Sequence, residues 1–382
     1  MQRATGLYCH VPFCANRCAY CAFYQEPPTS ALIARYLVGI GKERSLLGVE
    51  CKFDTIYVGG GTPGLLAPRD MESLCRTLTS KTNGTMPLEF SVEFSPMAVR
   101  AEKIEVLKNY GCNRVTMGVQ SFSEKTMRVL GRRQVNRLVF AAYETILAHG
   151  IDNIGIDLIF GVPGQTIGEW LGDLKCAVDM RPRHISTYNL TLEDGTPLKQ
   201  NLPPGLAKKS NDEEADFYMR TWDFLESNGY EQYEISNFCL PGFGSIHNSN
   251  TWKMQDWIGI GPSACSQWLG RRFSNPPSIS KWLTDIESGT LAHTNVECVD
   301  EKTMAEDCVI FGLRMTQGID VRALKNRFGT IDFTGLDALF LQLENDGFLR
   351  TSDHWAKLTP KGRLVADAIA IDVLGTLHSR FH

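Results

Sequence analysis

Short apolar runs alternate with segments of helical spacing through the first half of the chain. In residues 138–147 and 170–178, apolar side chains return at every third or fourth position, which predicts helices that bury one face. The runs between such segments are short and rich in apolar and β-branched residues, which predicts strands. The predicted strands are residues 6–10, 55–58, 88–93, 114–120, 153–159 and 184–190.

This alternation of strands and helices predicts an α/β fold. Near-continuous apolar strands are typical of a parallel sheet that helices cover. We expect an incomplete, TIM-like barrel of about six units, a partial (βα)6 barrel, over residues 1–202. A flat doubly wound sheet would give nearly the same pattern, so the pattern alone leaves both architectures open.

Two further regions follow the predicted barrel. Residues 203–299 contain five of the seven tryptophans, and an aromatic-rich region of this kind could line a pocket for a large flat ligand or form an aromatic core under loops. In residues 300–382 the pattern predicts mostly helices and one short strand at 355–358, an order that suggests a winged-helix-like domain. We interpret this domain as structural, because it lacks a basic recognition stripe.

Charge and length narrow the possible functions. The 382 residues include 39 Lys and Arg against 43 Asp and Glu, a net charge of -4 that gives no broad reason to bind nucleic acid. No stretch approaches the ~18 apolar residues of a spanning helix, and the start of the chain lacks the apolar segment of a signal peptide. We therefore expect a soluble cytoplasmic protein of two or three domains.

Three cysteines follow the first predicted strand within eight residues, at Cys14, Cys18 and Cys21. Thiolates at this density indicate zinc or an iron–sulfur cluster. Structural zinc needs a fourth ligand, which would come from Cys9, His10 or a distant cysteine. A four-iron cluster held by only three cysteines would leave one iron open to a small molecule, whereas ferredoxins supply a fourth cysteine.

A glycine turn follows the second predicted strand, at residues 59–63. Glycines let the backbone approach a ligand closely, although a tight βα loop would explain them equally well. Their position makes them more informative. The cysteine loop, the glycine turn, Glu93, Gln120 and Asp157 all follow or end successive strands, at the sheet edge where α/β enzymes gather their sites.

Together these motifs resemble those of the radical S-adenosylmethionine proteins in the oxygen-independent coproporphyrinogen dehydrogenase family. Within that family the chain is most similar to the HemW-type haem chaperones. The motifs are C-x3-C-x2-C, Gly-Gly-Gly-Thr-Pro, Ser-Val-Glu93, Met-Gly-Val-Gln120-Ser-Phe and Ile-Asp157-Leu-Ile-Phe-Gly-Val-Pro-Gly-Gln. The similarity extends from Tyr8 to Leu-Thr-Pro-Lys-Gly362 near the C-terminus, and it implies that the partial barrel is a radical SAM barrel.

The resemblance implies that Cys14, Cys18 and Cys21 ligate three irons of a [4Fe-4S] cluster. The fourth iron would take the amino and carboxylate groups of S-adenosylmethionine. Carboxylates of the site could accept hydrogen bonds from this cofactor, and a cationic side chain could pair with its carboxylate. The implied S-adenosylmethionine shell consists of Tyr8, Tyr20, Gly60, Gly61, Thr62, Glu93, Gln120, Arg132 and Asp157.

Two departures from the dehydrogenases favour the chaperone branch. Those enzymes carry another cysteine two residues after the third, where this chain has Phe23. They also have a long N-terminal arm that helps to form the substrate site, whereas only 13 residues precede Cys14 here.

The chaperone branch carries a His-Asn-x-x-Tyr-Trp motif associated with haem. This chain matches it at His247 and Trp252, with Thr251 in place of the tyrosine. Imidazole is a common haem-iron ligand, and Trp252 could stack on a porphyrin. Cys265 stands where relatives commonly have histidine, so its thiolate is a second candidate ligand, although a small buried cysteine would explain it too.

The predicted function is therefore a haem chaperone that binds haem and transfers it to an acceptor haemoprotein, with a membrane-associated respiratory protein as one candidate acceptor. Its predicted cofactors are the [4Fe-4S] cluster, S-adenosylmethionine and haem. One alternative is an oxygen-independent coproporphyrinogen III dehydrogenase, which decarboxylates propionates by radical chemistry. Another is a zinc-stabilised interaction module that binds DNA through its C-terminal domain.

Overall fold

The computed structural model describes residues 6–48, 53–80, 86–133, 135–202 and 207–379. Six strands of the first half run parallel and lie side by side in chain order. They are β1 (Gly6–Val11), β2 (Thr55–Gly60), β3 (Glu89–Phe94), β4 (Arg114–Gln120), β5 (Ile154–Phe160) and β6 (His184–Asn189). A doubly wound sheet reverses its strand order at one point. Within the described strands β1 to β6 no reversal occurs, so the partial barrel is confirmed.

Helices between these strands cover the outer face of the sheet. Their apolar sides, including the fully buried Trp170 and Tyr36, join the strands in one hydrophobic core. Side chains cap several helix starts; Thr166 and Glu169, for example, form a capping box. The helices are α1 (Ser30–Leu46), α2 (Pro68–Thr79), α3 (Ala101–Asn109), α4 (Glu124–Val129), α5 (Asn136–Ala148) and α6 (Ile167–Asp179), and the short α7 (Pro197–Gln200) follows β6.

The region after residue 206 extends the same sheet at both edges. Its elements are α8 (Asn211–Ser227), β7 (Glu231–Gln232), β8 (Asn237–Cys239), α9 (Ile246–Trp252), β9 (Trp257–Ile260), β10 (Cys265–Trp268), β11 (Arg271–Ser274), α10 (Ile279–Glu287) and β12 (Thr294–Cys298). Strand β9 pairs parallel with β1, and β8 pairs antiparallel with β6. The sheet thus has twelve described strands in the order β12-β11-β10-β9-β1-β2-β3-β4-β5-β6-β8-β7.

The C-terminal part is mostly helical and has its own hydrophobic core, with Leu336 and Val373 at its centre. Its elements are α11 (Glu301–Arg314), β13 (Ile319–Asp320), α12 (Val321–Arg327), β14 (Ile331–Asp332), α13 (Thr334–Asn345), β15 (Leu349–Ser352), β16 (Trp355–Leu358), α14 (Pro360–Arg363), α15 (Ala366–Val373) and β17 (His378–Ser379). Strands β15 and β16 form the hairpin expected of a winged-helix-like domain. The edges of the three predicted regions at 1–5, 203–206 and 380–382 lie outside the described residues.

The inner face of the barrel is polar. The strand register places Tyr8, Tyr57 and Ser91 next to one another on this face, and Asp157 lies next to Ser186 further round the barrel. The cysteine loop follows β1 and therefore lies at the carboxyl ends of the strands. No helix in the described part of the chain is long and apolar enough to cross a membrane.

Candidate functional site

A cleft of about 1250 Å³ opens at the carboxyl ends of the parallel strands. It is the place where the loops that follow β1 to β6 come together, as expected for a barrel. The structure brings nearly all of the predicted cluster and S-adenosylmethionine residues to its wall. Those that line it are Cys14, Cys18, Cys21, Tyr20, Gly60, Gly61, Thr62, Glu93, Gln120, Arg132 and Asp157.

The cysteine loop forms one side of the cleft, and its three thiols are half-buried. The backbone holds the loop in place, with Ala19 N–H donating to the carbonyl of Leu130 at 3.0 Å. Burial raises the pKa of Cys14 and of Cys21, and the charge of the neighbouring cysteines raises both pKa values further. Without a compensating cation these thiols stay protonated at neutral pH, whereas a bound metal would favour the thiolates.

The three thiols line the same cleft. Among the residues that the structure describes, no group of three or more His, Cys, Asp or Glu is arranged to hold a single metal ion. The nearby candidates for a fourth zinc ligand also have other partners: Cys9 is buried against the Tyr36 hydroxyl, and His10 bonds to Tyr8 and Tyr24. Three separate thiols on one wall instead fit a [4Fe-4S] cluster, in which each sulfur holds a different iron.

The glycine turn packs tightly against the start of the cysteine loop. Gly61 and Thr62 donate their N–H groups to carbonyls of that segment, both at 2.8 Å, and Gly60 N–H donates to Glu93 at 3.3 Å. A Cβ at Gly61 would lie 2.7 Å from the carbonyl oxygen of Phe13, so only glycine fits this approach. Since these three N–H groups are already donated, the backbone of Gly60, Gly61 and Thr62 can offer a ligand only carbonyl oxygens, which suit a donor such as an amino group.

Two acidic side chains line the middle of the cleft. The Tyr57 hydroxyl donates to Glu93 Oε1 at 2.8 Å. Asp157 Oδ1 is buried and accepts no hydrogen bond from any described residue. Burial, and then the charge of Asp157, raise the pKa of Glu93 to about 7, and burial raises the pKa of Asp157 to about 6. The pair therefore has unused acceptor capacity that a ligand with amino or hydroxyl groups would satisfy.

Arg132 provides positive charge beside the cysteines. Its guanidinium donates to the carbonyl of Gly118 at 3.1 Å, and it lies close enough to Tyr20 to lower the pKa of that hydroxyl. Burial outweighs this effect and raises the Tyr20 pKa overall. The charge of Arg132 also lowers the pKa of Cys14, against the larger effect of burial. An anionic group on this side of the cleft could pair with Arg132.

Gln120 ends β4 in a strained backbone conformation. Its φ of 71° lies in the left-handed region, and the strand register shifts between Gly118 and Gln120. For a residue other than glycine this conformation costs about 1 kcal/mol. A Cβ at Gly118 would lie 2.9 Å from Gln120 Nε2, so this glycine makes room for the amide side chain at the cleft wall.

Tyr8 lies one layer below the cleft. It is half-buried, its hydroxyl lies 3.2 Å from His10 Nδ1, and its ring stacks on Tyr57 at 6.2 Å. Burial raises the pKa of Tyr8 well above its ordinary value. Tyr8 therefore supports the cleft from beneath and does not form its wall.

The predicted haem residues lie at the opposite end of the barrel. His247 is 8% exposed, its Nδ1 is 2.8 Å from Thr55 Oγ1, and its ring stacks on Tyr57 at 5.1 Å. Thr55 begins β2, and Gly6, which lies beside the His247 ring, begins β1. Cys14, in contrast, follows the end of β1. Six residues at about 3.3 Å each separate the two ends by roughly 20 Å.

Trp252 and Cys265 occupy different surroundings. Trp252 packs against Phe311 of α11 at 5.9 Å, with the Arg314 guanidinium over its ring. Cys265, at the start of β10, is exposed and its Sγ lies 3.2 Å from Ser274 Oγ, so the interpretation of Cys265 as a small buried residue is wrong. Phe23 lines the cleft and is 67% exposed.

Sequence reasoning missed two residues that organise these sites. Tyr57 bonds to Glu93 and stacks on His247. Glu89 accepts hydrogen bonds from Ser245 Oγ and from the N–H groups of Ile246 and His247, at 2.8–3.1 Å, and so fixes the start of α9 against the sheet. The alternation of β2 places Tyr57 on the inner face, which was a usable signal.

Comparisons with known proteins agree with this architecture. The model of the Radical SAM superfamily matches residues 8–177, and the model of the HemN C-terminal domain matches residues 299–365. A solved structure of coproporphyrinogen III oxidase (HemN) from Escherichia coli superposes with a TM-score of 0.84 over 97% of this chain and 90% of that chain. Since the sequence identity is 21%, this likeness shows the fold.

Curated relatives share more sequence. The chain is 33% identical over 329 residues to the protein named Heme chaperone HemW of Lactococcus lactis, with 86% of each chain covered. It is 29% identical over 381 residues to the protein of the same name in Bacillus subtilis, which covers 97% of this chain and 99% of the relative. It is 34% identical to the Escherichia coli protein of that name over 68% of this chain and 69% of the relative.

Proposed function

This chain belongs to the HemW-type family of radical SAM proteins, and on that premise we propose that it is a haem chaperone that binds haem and transfers it to an acceptor haemoprotein. The observation that carries the proposal is one cleft lined by three cysteines, Glu93, Arg132 and Asp157, in a chain whose relatives are named heme chaperones. We propose the cytoplasm as its compartment and no nucleic-acid partner.

We propose that Cys14, Cys18 and Cys21 hold a [4Fe-4S] cluster and that the rest of the cleft holds S-adenosylmethionine. When bound, such a cluster supplies an open iron for the amino and carboxylate groups of this molecule. The unpartnered Asp157 Oδ1 and the Glu93 carboxylate would accept hydrogen bonds from it. Arg132 would pair with its carboxylate, and the carbonyl oxygens of the glycine turn would accept hydrogen bonds from its amino group. Tyr20 and Gln120 would close the sides of the cleft.

We propose His247 as a haem-iron ligand, with Trp252 next to the porphyrin. Burial lowers the pKa of His247 to about 4, so its imidazole is neutral at physiological pH, the form that binds iron. If Nδ1 donates its hydrogen to Thr55 Oγ1, the lone pair remains on Nε2. Because His247 is nearly buried, haem would reach it only after α9 moves away from the sheet or the contact of Trp252 with Phe311 opens.

Haem titration of the reconstituted protein tests this assignment. We expect His247→Ala to change the haem absorption spectrum and to weaken haem binding. The control is Cys298→Ala, because Cys298 is exposed like Cys265, and we expect it to change neither property. A changed spectrum for Cys265→Ala with an unchanged one for His247→Ala would assign the ligand to Cys265 instead. Haem transfer to an apo-haemoprotein, followed by the acceptor's absorption, then tests chaperone activity.

An anaerobic turnover assay addresses the enzyme alternative. Reconstituted protein would be incubated with coproporphyrinogen III, S-adenosylmethionine and reductant, and decarboxylated product would be followed by mass spectrometry. We expect no product above the control that lacks S-adenosylmethionine, because Phe23 stands where the dehydrogenases carry a cysteine. Product above that control would overturn the chaperone assignment.

A further inference from the structure

Tyr57 connects the two ends of the barrel. It lies on the inner face of β2, between the start of the strand at Thr55 and the glycine turn. Its hydroxyl donates to Glu93 Oε1 at 2.8 Å, and its ring stacks on His247 with an interplanar angle of 29°. Tyr57 thus touches one residue of the cleft wall and one residue of the proposed haem site.

The hydrogen bond from Tyr57 is the shorter of the two that hold the Glu93 carboxylate. The other comes from Gly60 N–H to Oε2 at 3.3 Å. The carboxylate also fits closely over Gly59, where a Cβ would approach it to 2.8 Å. Its direction therefore depends mainly on the Tyr57 hydroxyl, because the backbone donor is longer and the glycine only leaves space.

Hydrogen bonds hold in place the His247 side chain that stacks on Tyr57. His247 bonds to Thr55 through Nδ1, and its backbone N–H donates to Glu89 at 3.1 Å. On its other side Tyr57 stacks on Tyr8 at 6.2 Å. A movement of His247 would therefore change the packing under Tyr57, and Tyr57 in turn bonds to Glu93.

We propose that Tyr57 is a positioning residue that sets the Glu93 carboxylate for S-adenosylmethionine and couples that site to haem binding at His247. This inference rests on the proposed function of the two sites. No change at the cysteine cluster is required for it, because the contacts in the path join His247 of α9, Tyr57 of β2 and Glu93 of β3.

The first test removes only the hydroxyl. Tyr57→Phe keeps the stack on His247 but deletes the hydrogen bond to Glu93. We expect reconstituted, haem-free Tyr57→Phe to bind S-adenosylmethionine about tenfold more weakly than the unchanged protein, since a hydrogen bond to a charged group is lost. The matched control is Tyr230→Phe, which deletes a buried tyrosine hydrogen bond to the carbonyl of Pro182 far from the cleft. A change below about twofold in Tyr57→Phe would overturn the positioning role.

The pH dependence of S-adenosylmethionine binding distinguishes a positioning role of Tyr57 from a general disruption of the structure by the substitution. Glu93 faces Asp157, Tyr57 and Tyr8, and loss of the Tyr57 hydrogen bond makes its charged form harder to reach. We expect the ratio of the variant and unchanged dissociation constants to fall as pH rises from 7 to 9, because Glu93 becomes charged again. Titration of the ligand cancels in this ratio. A ratio that stays constant with pH would contradict the role through Glu93.

The second test measures coupling. In the unchanged protein we expect bound haem to alter the dissociation constant of S-adenosylmethionine by about fivefold or more, the low end of usual allosteric couplings. Tyr57→Leu, which removes both the stack and the hydroxyl, should abolish this effect. Equal coupling in both proteins, or none in the unchanged protein, would overturn the link between the sites.

A ligand-free measurement distinguishes this inference from the proposed function. In a double-mutant cycle of Tyr57→Phe and Glu93→Ala, read by urea unfolding, we expect the two changes to be non-additive. Additive changes would overturn the positioning role. If the cycle is non-additive but the unchanged protein with an intact cluster binds no S-adenosylmethionine, the proposed cofactor site fails while the contact between Tyr57 and Glu93 stands.

Discussion

Two glutamates on strand β3 show how the two ends of the barrel differ. Glu89 begins the strand and is 3% exposed, while Glu93 lies one residue before its end at the cleft. Glu89 accepts three hydrogen bonds, all from the start of α9. Glu93 accepts one from Tyr57 and a longer one from Gly60.

The difference separates a structural carboxylate from one available to a ligand. Three donors from the protein satisfy most of the acceptor capacity of Glu89, which thereby docks a helix. Glu93 faces a second carboxylate, Asp157, and burial raises its pKa to about 7. A carboxylate left short of donors in a cleft is costly to the empty protein, and a cationic ligand would remove that cost.

The largest effect expected at either end comes from the cysteines. Replacing Cys14, Cys18 or Cys21 by Ser should abolish the iron–sulfur cluster, because each thiolate would hold a different iron. Iron and sulfide analysis of the reconstituted variants measures the loss, and Cys298→Ser serves as the control at an exposed cysteine outside the cleft.

The same cysteine variants test whether the two ends are independent. Measured without S-adenosylmethionine, haem affinity should remain largely intact, since His247 lies at the amino ends of the strands. A parallel loss of cluster and haem would show that the sites are coupled or that the fold depends on the cluster.

Exchanging one carboxylate at a time gives the next largest effect. Glu89→Gln replaces an acceptor oxygen with an amide N–H group that faces backbone donors, and we expect it to lower the free energy of unfolding by about 2–4 kcal/mol. Glu93→Gln should leave stability equal or higher but weaken S-adenosylmethionine binding. Urea unfolding and calorimetric titration measure the two quantities.

This pair of variants can contradict the comparison directly. If Glu93→Gln destabilises the protein more than Glu89→Gln does, the distinction between a structural and a ligand-binding carboxylate is wrong. The distinction also fails if Glu89→Gln abolishes S-adenosylmethionine binding while the protein stays fully folded.

Much of the barrel was predictable because its strands and helices carry local periodicity. The strand predicted at 88–93 is observed at Glu89–Phe94, and the helix predicted at 138–147 is observed at Asn136–Ala148. The short edge strands β7 to β12 were not predicted, since two to five residues give little periodicity. Their pairing with β1 and β6 depends on contacts between distant parts of the chain.

The cleft and the His247 site also differ in how much of each could be predicted from the sequence. The cleft residues could be grouped from the sequence, because the carboxyl ends of parallel strands meet at one edge. The roles of Glu89 and Tyr57 could not, since Glu89 bonds to Ser245 across 156 positions and Tyr57 stacks on a histidine 190 positions later. The sequence also gave no sign that His247 lies at the far end of the barrel from the cysteines.

The smallest expected effect is the pH dependence of stability. The pKa of Glu93 rises from 4.5 to about 7 on folding, and that of Asp157 rises from 3.8 to about 6. The folded protein therefore holds more protons than the unfolded chain between about pH 4 and 7. These two groups thus make the free energy of unfolding fall as pH increases through that range.

Glu93→Gln should remove the part of this pH-dependent fall in unfolding free energy that comes from Glu93. Relative to the unchanged protein without ligands, we expect the variant to gain about 1–3 kcal/mol in unfolding free energy between pH 5 and pH 8. Urea unfolding at several pH values measures the gain. Glu344→Gln is the matched control, because hydrogen bonds from Thr351 lower the pKa of Glu344 and place its titration below this range. An equal gain in both variants would show that Glu93 carries no special cost, and the contrast between the two ends of β3 would then reduce to the docking of α9 by Glu89.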